Sequence, residues 1–146
     1  MKTVADILRS KSSQAIYTIG PDATVLEAIS LMAEKGIGAL VVTHADAVVG
    51  IVSERDYARK IILMERSSYD TPVSDIMTAE VMYVDPRKTN QDCMALMTEN
   101  RMRHLPVLEN GRLLGLISIG DLVKDIITEQ KFIIDQLQQY ITGDRG

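Results

Sequence analysis

Apolar residues run along this chain in short stretches broken by charged and turn-forming residues, and the order of those stretches occurs twice. Each copy opens on an extended stretch, AIYTI at 15–19 and VMYV at 81–84. Pro21 or Pro86 ends it, because proline has no N–H to give to a strand ladder. A helix follows. Thr24 stands three residues before Glu27, and Thr89 three before Asp92, the spacing of a capping box that satisfies free N–H groups of a first turn. The buried stripe of the first helix is Val25, Ala28, Ile29 and Met32, and that of the second includes Cys93, Met94 and Met97. Both follow the i, i+3, i+4 rule. Two strands come next: 39–42 with 47–52, and 104–108 with 112–117, joined by the hairpin-like links THAD and ENG. Gly50 and Gly115 interrupt the second strand of each pair and predict close backbone approach or a bend. A second helix opens at Ser53 or Ser118.

The two copies align without gaps at an offset of 65 residues. Positions 21–62 laid on 86–127 share twelve identities in 42, among them Pro21/Pro86, Leu40/Leu105, Gly50/Gly115, Ser53/Ser118 and Asp56/Asp121. Ordinary composition gives about two or three. This period is longer than that of the common solenoid units, so two copies predict a duplicated domain and not an array. The expected fold is mixed α/β: two β-α-β-β-α repeats packed with pseudo-twofold symmetry, plus a long C-terminal helix. Residues 1–66 form repeat 1 with an N-terminal helix over 3–9, residues 67–128 form repeat 2 with a preceding linker helix over 71–77, and 129–146 form a helical extension. Thr71 caps that linker helix and Pro72 takes its first position. VADIL and VSDIM in the two flanking segments resemble each other. The tail helix runs from Asp121 to Thr142 and stops at Gly143, with an apolar stripe of Leu122, Ile126, Ile133, Leu137 and Tyr140 or Ile141. Its length of roughly 30 Å exceeds what one small sheet can cover, so part of it is expected to pack on a second copy of the chain.

Composition narrows the function. The net charge is −4, there is no basic tract, and one Phe and five Tyr are the whole aromatic set. Nucleic acid is therefore not an expected partner. No run approaches the ~20 apolar residues of a membrane span, and the N-terminal stretch is broken by Asp6, unlike a signal peptide, which makes the cytoplasm the expected location. The single cysteine, Cys93, sits in an apolar helical stretch and reads as an inert buried thiol. Neither His44 nor His104 belongs to a zinc-spaced cluster, and no Walker loop, G-x-G-x-x-G or G-x-S-x-G elbow occurs. No catalytic residues and no metal are expected.

The element left over is Gly-h-h-Ser-x-x-Asp, where h is apolar: Gly50 to Asp56 and Gly115 to Asp121. It is a strand running into a helix start, where free N–H groups favour an anion. Its carboxylate can accept two hydrogen bonds, as a ribose cis-diol would offer. Ser-x-x-Asp is equally a plain capping box, and spacing alone favours that reading.

These features together resemble the CBS-domain family, in which two repeats form one Bateman module. The resemblance covers about residues 14–127. It rests on the openings Ile19 to Thr24 and Val84 to Thr89, the strand Arg103-His104-Leu105-Pro106-Val107, and both Ser-x-x-Asp ends. It implies that Asp56 and Asp121 bind the ribose of an adenosine compound, with Ser53 and Ser118 assisting. It further implies that Thr18, Ile19, Tyr83 and Val84 of the first strands, and Ala39, Leu40, His104, Leu105 and Pro106 of the second, line base pockets. The implied ligand is AMP first, with ADP, ATP, NAD or S-adenosylmethionine as alternatives.

The two copies are not equivalent: Arg55 becomes Gly120, whereas Gly38 and Ala39 become Arg103 and His104. If the duplication faces these loops into a shared cleft, Arg55, Arg103 and His104 would gather phosphates. The leading expectation is a non-enzymatic nucleotide-sensing regulatory module that acts through its own homodimer or through an enzyme or transporter. The alternatives are an interaction scaffold with vestigial pockets and, less favoured, a small nucleotide hydrolase.

Overall fold

The computed structural model describes residues 2–11 and 15–142. Element order is α1 (Val4–Ser10), β1 (Thr18–Ile19), α2 (Val25–Lys35), β2 (Ala39–His44), β3 (Ala47–Ser53), α3 (Glu54–Tyr57), α4 (Asn90–Asn100), β4 (His104–Glu109), β5 (Arg112–Ser118) and α5 (Ile119–Thr142). A π-helical turn over Ala58–Ile62 continues α3, and a 3-10 turn covers Val73–Asp75. The fold is mixed α/β, with a three-stranded sheet ordered β1-β2-β3 and a two-stranded sheet of β4 and β5. Gly143, the expected stop of the tail helix, lies outside the described residues.

Long-range packing divides the chain into two compact units, and neither is a continuous half. One contains residues 15–85 and 106–116; the other contains 1–14, 86–105 and 117–146. The cause is the docking of the two flanking segments. Val4 N–H donates to the Lys88 carbonyl at 2.8 Å and Ala5 N–H to that of Pro86 at 3.0 Å, so segment 3–9 sits on the start of α4. Val73 N–H donates to the Ala23 carbonyl at 2.8 Å and Ser74 N–H to that of Pro21 at 3.0 Å, so segment 71–77 sits on the start of α2. Lys88 and Pro86 are the repeat equivalents of Ala23 and Pro21. The likeness of VADIL to VSDIM therefore reflects the same seat in each copy, with each segment docked on the repeat other than the one it directly precedes. The second segment is shorter than the expected helix: only a 3-10 turn forms, and Pro72 stands at its cap.

In the unit built around residues 15–85, β2 is the central strand. Thr18 and Ile19 pair in parallel with Val41 and Val42, and Ala39 to His44 pair antiparallel with Ser53 to Ala47. Val42 faces Gly50 and Thr43 faces Val48, so Val49 is an extra residue and β3 carries a bulge. The hairpin turns at Ala45 and Asp46, both with positive φ, as a two-residue primed turn requires; Asn110 and Gly111 do the same between β4 and β5. Thr24 caps α2 by accepting the Glu27 N–H, and Gly36 at φ 65° closes it. Its stripe of Val25, Ala28 and Met32 is buried with Leu40, Val42, Val52, Ile61, Val73 and Ile76, while Ile29 packs at the margin. A buried valine or methionine contributes about 1.5–3 kcal/mol.

In the other unit α1 and α4 both pack on α5. Thr3/Asp6 and Thr89/Asp92 form full capping boxes. Cys93 and Met97 are buried as expected, and Met94 is half-buried. Burial pushes the Cys93 thiol up to about 11, which keeps it protonated and inert. Asn90, the equivalent of Val25, is also buried, and its amide donates to the Leu122 carbonyl at 3.0 Å and to Asp125 at 2.9 Å. Arg101 stands where the first copy has Gly36 and adopts a left-handed φ of 52°. In this copy the first extended stretch shrinks to one parallel bridge, Val84 with Val107, in the same register as Ile19 with Val42.

Gly50 is required by close approach. A Cβ there would lie 2.5 Å from Met77 Sδ and 3.1 Å from the Thr78 carbonyl oxygen. Thr78 is bridged to Ile51 through hydrogen bonds of 2.9 and 3.0 Å, so the backbone cannot retreat cheaply. Gly50→Ala is expected to destabilise the fold by about 1–3 kcal/mol in urea unfolding. Gly20→Ala, where a Cβ meets nothing within 4 Å, should leave the midpoint nearly unchanged.

Candidate functional site

The two Ser-x-x-Asp elements form the same corner. In the first, the Ser53 N–H donates to Asp56 Oδ2 at 2.9 Å and the Asp56 N–H to Ser53 Oγ at 3.2 Å. In the second, the Ser118 N–H donates to Asp121 Oδ2 at 2.8 Å and the Asp121 N–H to Ser118 Oγ at 3.1 Å. Both are complete capping pairs, so the capping reading of this motif is realised in full. Each corner is also tied to the start of the preceding strand. The Glu54 N–H donates to the Gly38 carbonyl at 3.0 Å, and the Ile119 N–H to that of Arg103 at 2.8 Å. The serine therefore lies beside Ala39 in one copy and beside His104 in the other.

The expected pocket residues distribute as follows. In the unit around the first corner, Ala39, Leu40, Val84 and Pro106 are buried, Ile19, Ser53 and Asp56 are half-buried, and Thr18, Arg55 and Tyr83 are exposed. Ala39 pairs in register with Ser53 and Leu40 with Val52, which brings the start of β2 to the corner. Thr18 and Ile19 lie further along the same sheet, opposite Val41 and Val42. In the unit around the second corner, Leu105 is buried, His104, Ser118 and Asp121 are half-buried, and Arg103 is exposed.

Charge is distributed differently at the two carboxylates. Lys60, one helical turn on from Asp56, places its ammonium 3.5 Å from Asp56 Oδ1 and donates to the Ile76 carbonyl at 2.9 Å. At Asp121 the cation comes from the N-terminal segment instead: Lys11 Nζ lies 3.0 Å from Oδ2. One turn further along α5, Lys2 Nζ lies 3.3 Å from Asp125 Oδ1, so both ends of segment 2–11 are fastened to α5 through carboxylates. Lys2 and Lys11 lie outside the duplicated motifs, and no spacing rule in the sequence links either to Asp121 or Asp125.

His104 belongs to the second group. Burial is the main cause that lowers its pKa below the ordinary 6.5, the positive charges of Lys11 and Arg103 act in the same direction, and Asp121 opposes them. Folded His104 therefore refuses a proton that the unfolded chain accepts. Its contribution to stability is complete above about pH 6.5 and is lost as pH falls through the folded value. His104→Gln should flatten the loss of stability between about pH 8 and about pH 5.5 in urea titrations. An unaltered slope would contradict this placement.

Among the described residues, no group of three or more His, Cys, Asp or Glu is arranged to hold a metal ion, and no helix is long and apolar enough to cross a membrane. The model of the CBS domain family matches residues 4–63 and 73–128. The mitochondrial CBS domain-containing protein CBSX3 of Arabidopsis thaliana is 40% identical over 149 residues, covering 97% of this chain and 72% of that protein. A solved structure from Burkholderia ambifaria, provisionally named a signal-transduction protein with CBS domains, is 60% identical. It superposes with a TM-score of 0.85 over 88% of this chain and 96% of its own. The CBS domain pair of protein MJ0100, solved with 5′-methylthioadenosine and S-adenosyl-L-methionine, shares the fold at a TM-score of 0.78 and 19% identity, over 88% of this chain and 98% of its own. The chain is a CBS-domain pair and belongs to the CBS-domain family.

Proposed function

We propose that this CBS pair is a regulatory module that binds an adenine nucleotide at its Ser-x-x-Asp corners and catalyses no reaction. The duplicated corner carries the reading. In each copy a carboxylate is held at a helix start by its own serine N–H, and a carboxylate so fixed is a preorganised acceptor for the two hydroxyls of a ribose. Of the expected base-pocket residues, Ile19 in one copy and His104 in the other are half-buried and offer surface to a purine, whereas Ala39, Leu40 and Leu105 are closed off in the core. The fold relative solved with two adenosine compounds supports the ligand class, because both of those carry a ribose diol. AMP heads the candidates, followed by ADP, ATP, NAD and S-adenosylmethionine, and no metal is needed.

Binding regulates only if the ligand prefers one of two arrangements of the protein. The output passes through a partner, an enzyme or a transporter, or through the protein's own dimer. The tail helix favours the dimer. Leu122 at its start is buried, whereas Phe132, Ile133, Ile134, Leu137, Tyr140 and Ile141 are all about half exposed or more. So many apolar side chains on two turns and more of helix need a cover, and a second copy of α5 supplies a matching one. Light scattering should find a dimer, and deletion of residues 129–146 should shift it to monomer. A deletion variant that stays equally dimeric would remove α5 from the interface.

A second reading, an interaction scaffold with vestigial pockets, is favoured by one observation: one oxygen of each aspartate already serves as a helix cap within the chain itself. A thermal shift separates the two. A ligand at 100 times its Kd adds about 2.7 kcal/mol of stability. AMP is expected to raise Tm accordingly, and the shift should shrink in Asp56→Asn and Asp121→Asn, which keep an oxygen for the cap. Flat melting curves with all five candidate ligands would favour the scaffold.

A further inference from the structure

We infer that Lys2 and Asp125 select which flanking segment each repeat accepts. Their ion pair admits segment 2–11 to the start of α4 and excludes segment 71–77, so each segment docks on the other repeat and not on the one it directly precedes. The inference does not depend on ligand binding.

The two seats have the same backbone geometry. The Asn90 N–H donates to the Lys2 carbonyl at 3.1 Å, and the Val25 N–H to the Thr71 carbonyl at 2.9 Å. Thr3 is bridged to Thr89, and Pro72 to Thr24. Val4 and Ile7 are buried in one seat, Val73 and Ile76 in the other. Lys2 therefore matches Thr71, and backbone and apolar contacts alone do not tell the two segments apart. Docking on the adjoining repeat is also within reach of the chain. Thr78, the match of Arg9, is bridged to Ile51; Ile51 pairs with Val41, and Val41 with Thr18. Three strand spacings, about 14 Å, separate that end of the seat from β1. The nine peptide units from Arg9 to Thr18 can span about 30 Å.

Charge does tell them apart. In the second seat Asp125 is buried; its Oδ2 accepts the Asn90 amide at 2.9 Å, and its Oδ1 stands 3.3 Å from Lys2 Nζ. The repeat equivalents of Asn90 and Asp125 in the first seat are Val25 and Lys60. There the Lys60 ammonium donates to the Ile76 carbonyl of the docked segment at 2.9 Å. The polarity of the seat is reversed: the segment brings the cation to one seat, and the seat itself holds the cation in the other. Docking each segment on the repeat it precedes would put Thr71 in the place of Lys2 and leave the Asp125 carboxylate buried without a cation. Removing one partner of a buried ion pair is strongly unfavourable. The same rearrangement would bring Lys2 to a seat whose own ammonium already serves the segment, with Val25 in place of the Asn90 amide. Both errors arise together, so specificity comes from penalties on the wrong segment as well as from the native contact.

The test is solution NMR of the full chain carrying Lys2→Thr and Thr71→Lys together, which trades the charges of the two segments and leaves both seats as they are. Wild type should give NOEs from Val4 to Lys88 and Thr89. The double variant should lose them, in all or in part of its molecules, and gain NOEs from Val4 to Ala23 and Thr24. NOEs that stay wholly at Lys88 and Thr89 overturn the inference, whatever the stability of the variant, because the pair then holds the segment without selecting it. Should the double variant fail to fold, Thr71→Lys alone decides. Its added ammonium competes with Lys2 for Asp125 and should split the Val4 amide into two peaks. A single Val4 peak with the wild-type NOEs overturns the inference.

Discussion

A serine and an aspartate three residues apart exchange hydrogen bonds at the end of a strand, and most of what distinguishes this chain depends on that exchange. The serine N–H is satisfied by the carboxylate, the aspartate N–H by the hydroxyl, and the helix start is closed. A cap of this kind is worth about 1 kcal/mol, and more when its acceptor is charged. The next N–H reaches back to the carbonyl before the preceding strand, Gly38 in one copy and Arg103 in the other. Strand start, strand end and helix start are thereby gathered at one place. The corner is structural first, and ligand chemistry is confined to what the cap leaves of each carboxylate.

Duplication then allowed the two corners to diverge. The first carries an exposed arginine, a lysine from its own helix, and a helix of one turn that passes into a π-helical turn. The second pairs its aspartate with Lys11 and starts a helix of 24 residues. Segment 2–11 and α5 meet at that aspartate and again one turn later at Asp125, which also receives the amide of Asn90 from α4. A ligand that engages Asp121 thus acts where segment 2–11 is fastened to α5, one turn from the Asp125 contact with α4. That is the property a sensor needs if binding is to be felt elsewhere.

Much of this was legible in the sequence because it is local. The repeat, the helix stripes, the threonine caps, the two-residue hairpins and the Ser-x-x-Asp corners each follow from spacing within a few residues. The close approach behind Gly50 was expected as well, though not its partner, Met77. What spacing could not show is long-range. Nothing in the pattern of residues 3–9 says that they seat on α4, 80 residues away, or that 71–77 seat on α2. The likeness of the two segments was visible, but its meaning requires the hydrogen bonds to Lys88 and Ala23. Lys2, Lys11, Asn90 and Asp125 escaped notice for the same reason, since an ion pair between distant segments leaves no periodic trace. Asn90 even breaks the apolar stripe at the position Val25 occupies in the other copy. The stretch 81–84 shows the opposite error: it reads as a strand, yet only Val84 pairs.

The central claim is that an aspartate at these corners receives a ribose diol. Calorimetric titration of AMP against 2′,3′-dideoxy-AMP tests it most directly, since the two differ only in the hydroxyls the carboxylate would accept. The account predicts that the dideoxy compound binds at least about 100-fold more weakly, the loss of two bonds to a charged acceptor. Equal affinities would mean that the sugar is held elsewhere and that Asp56 and Asp121 serve only as helix caps.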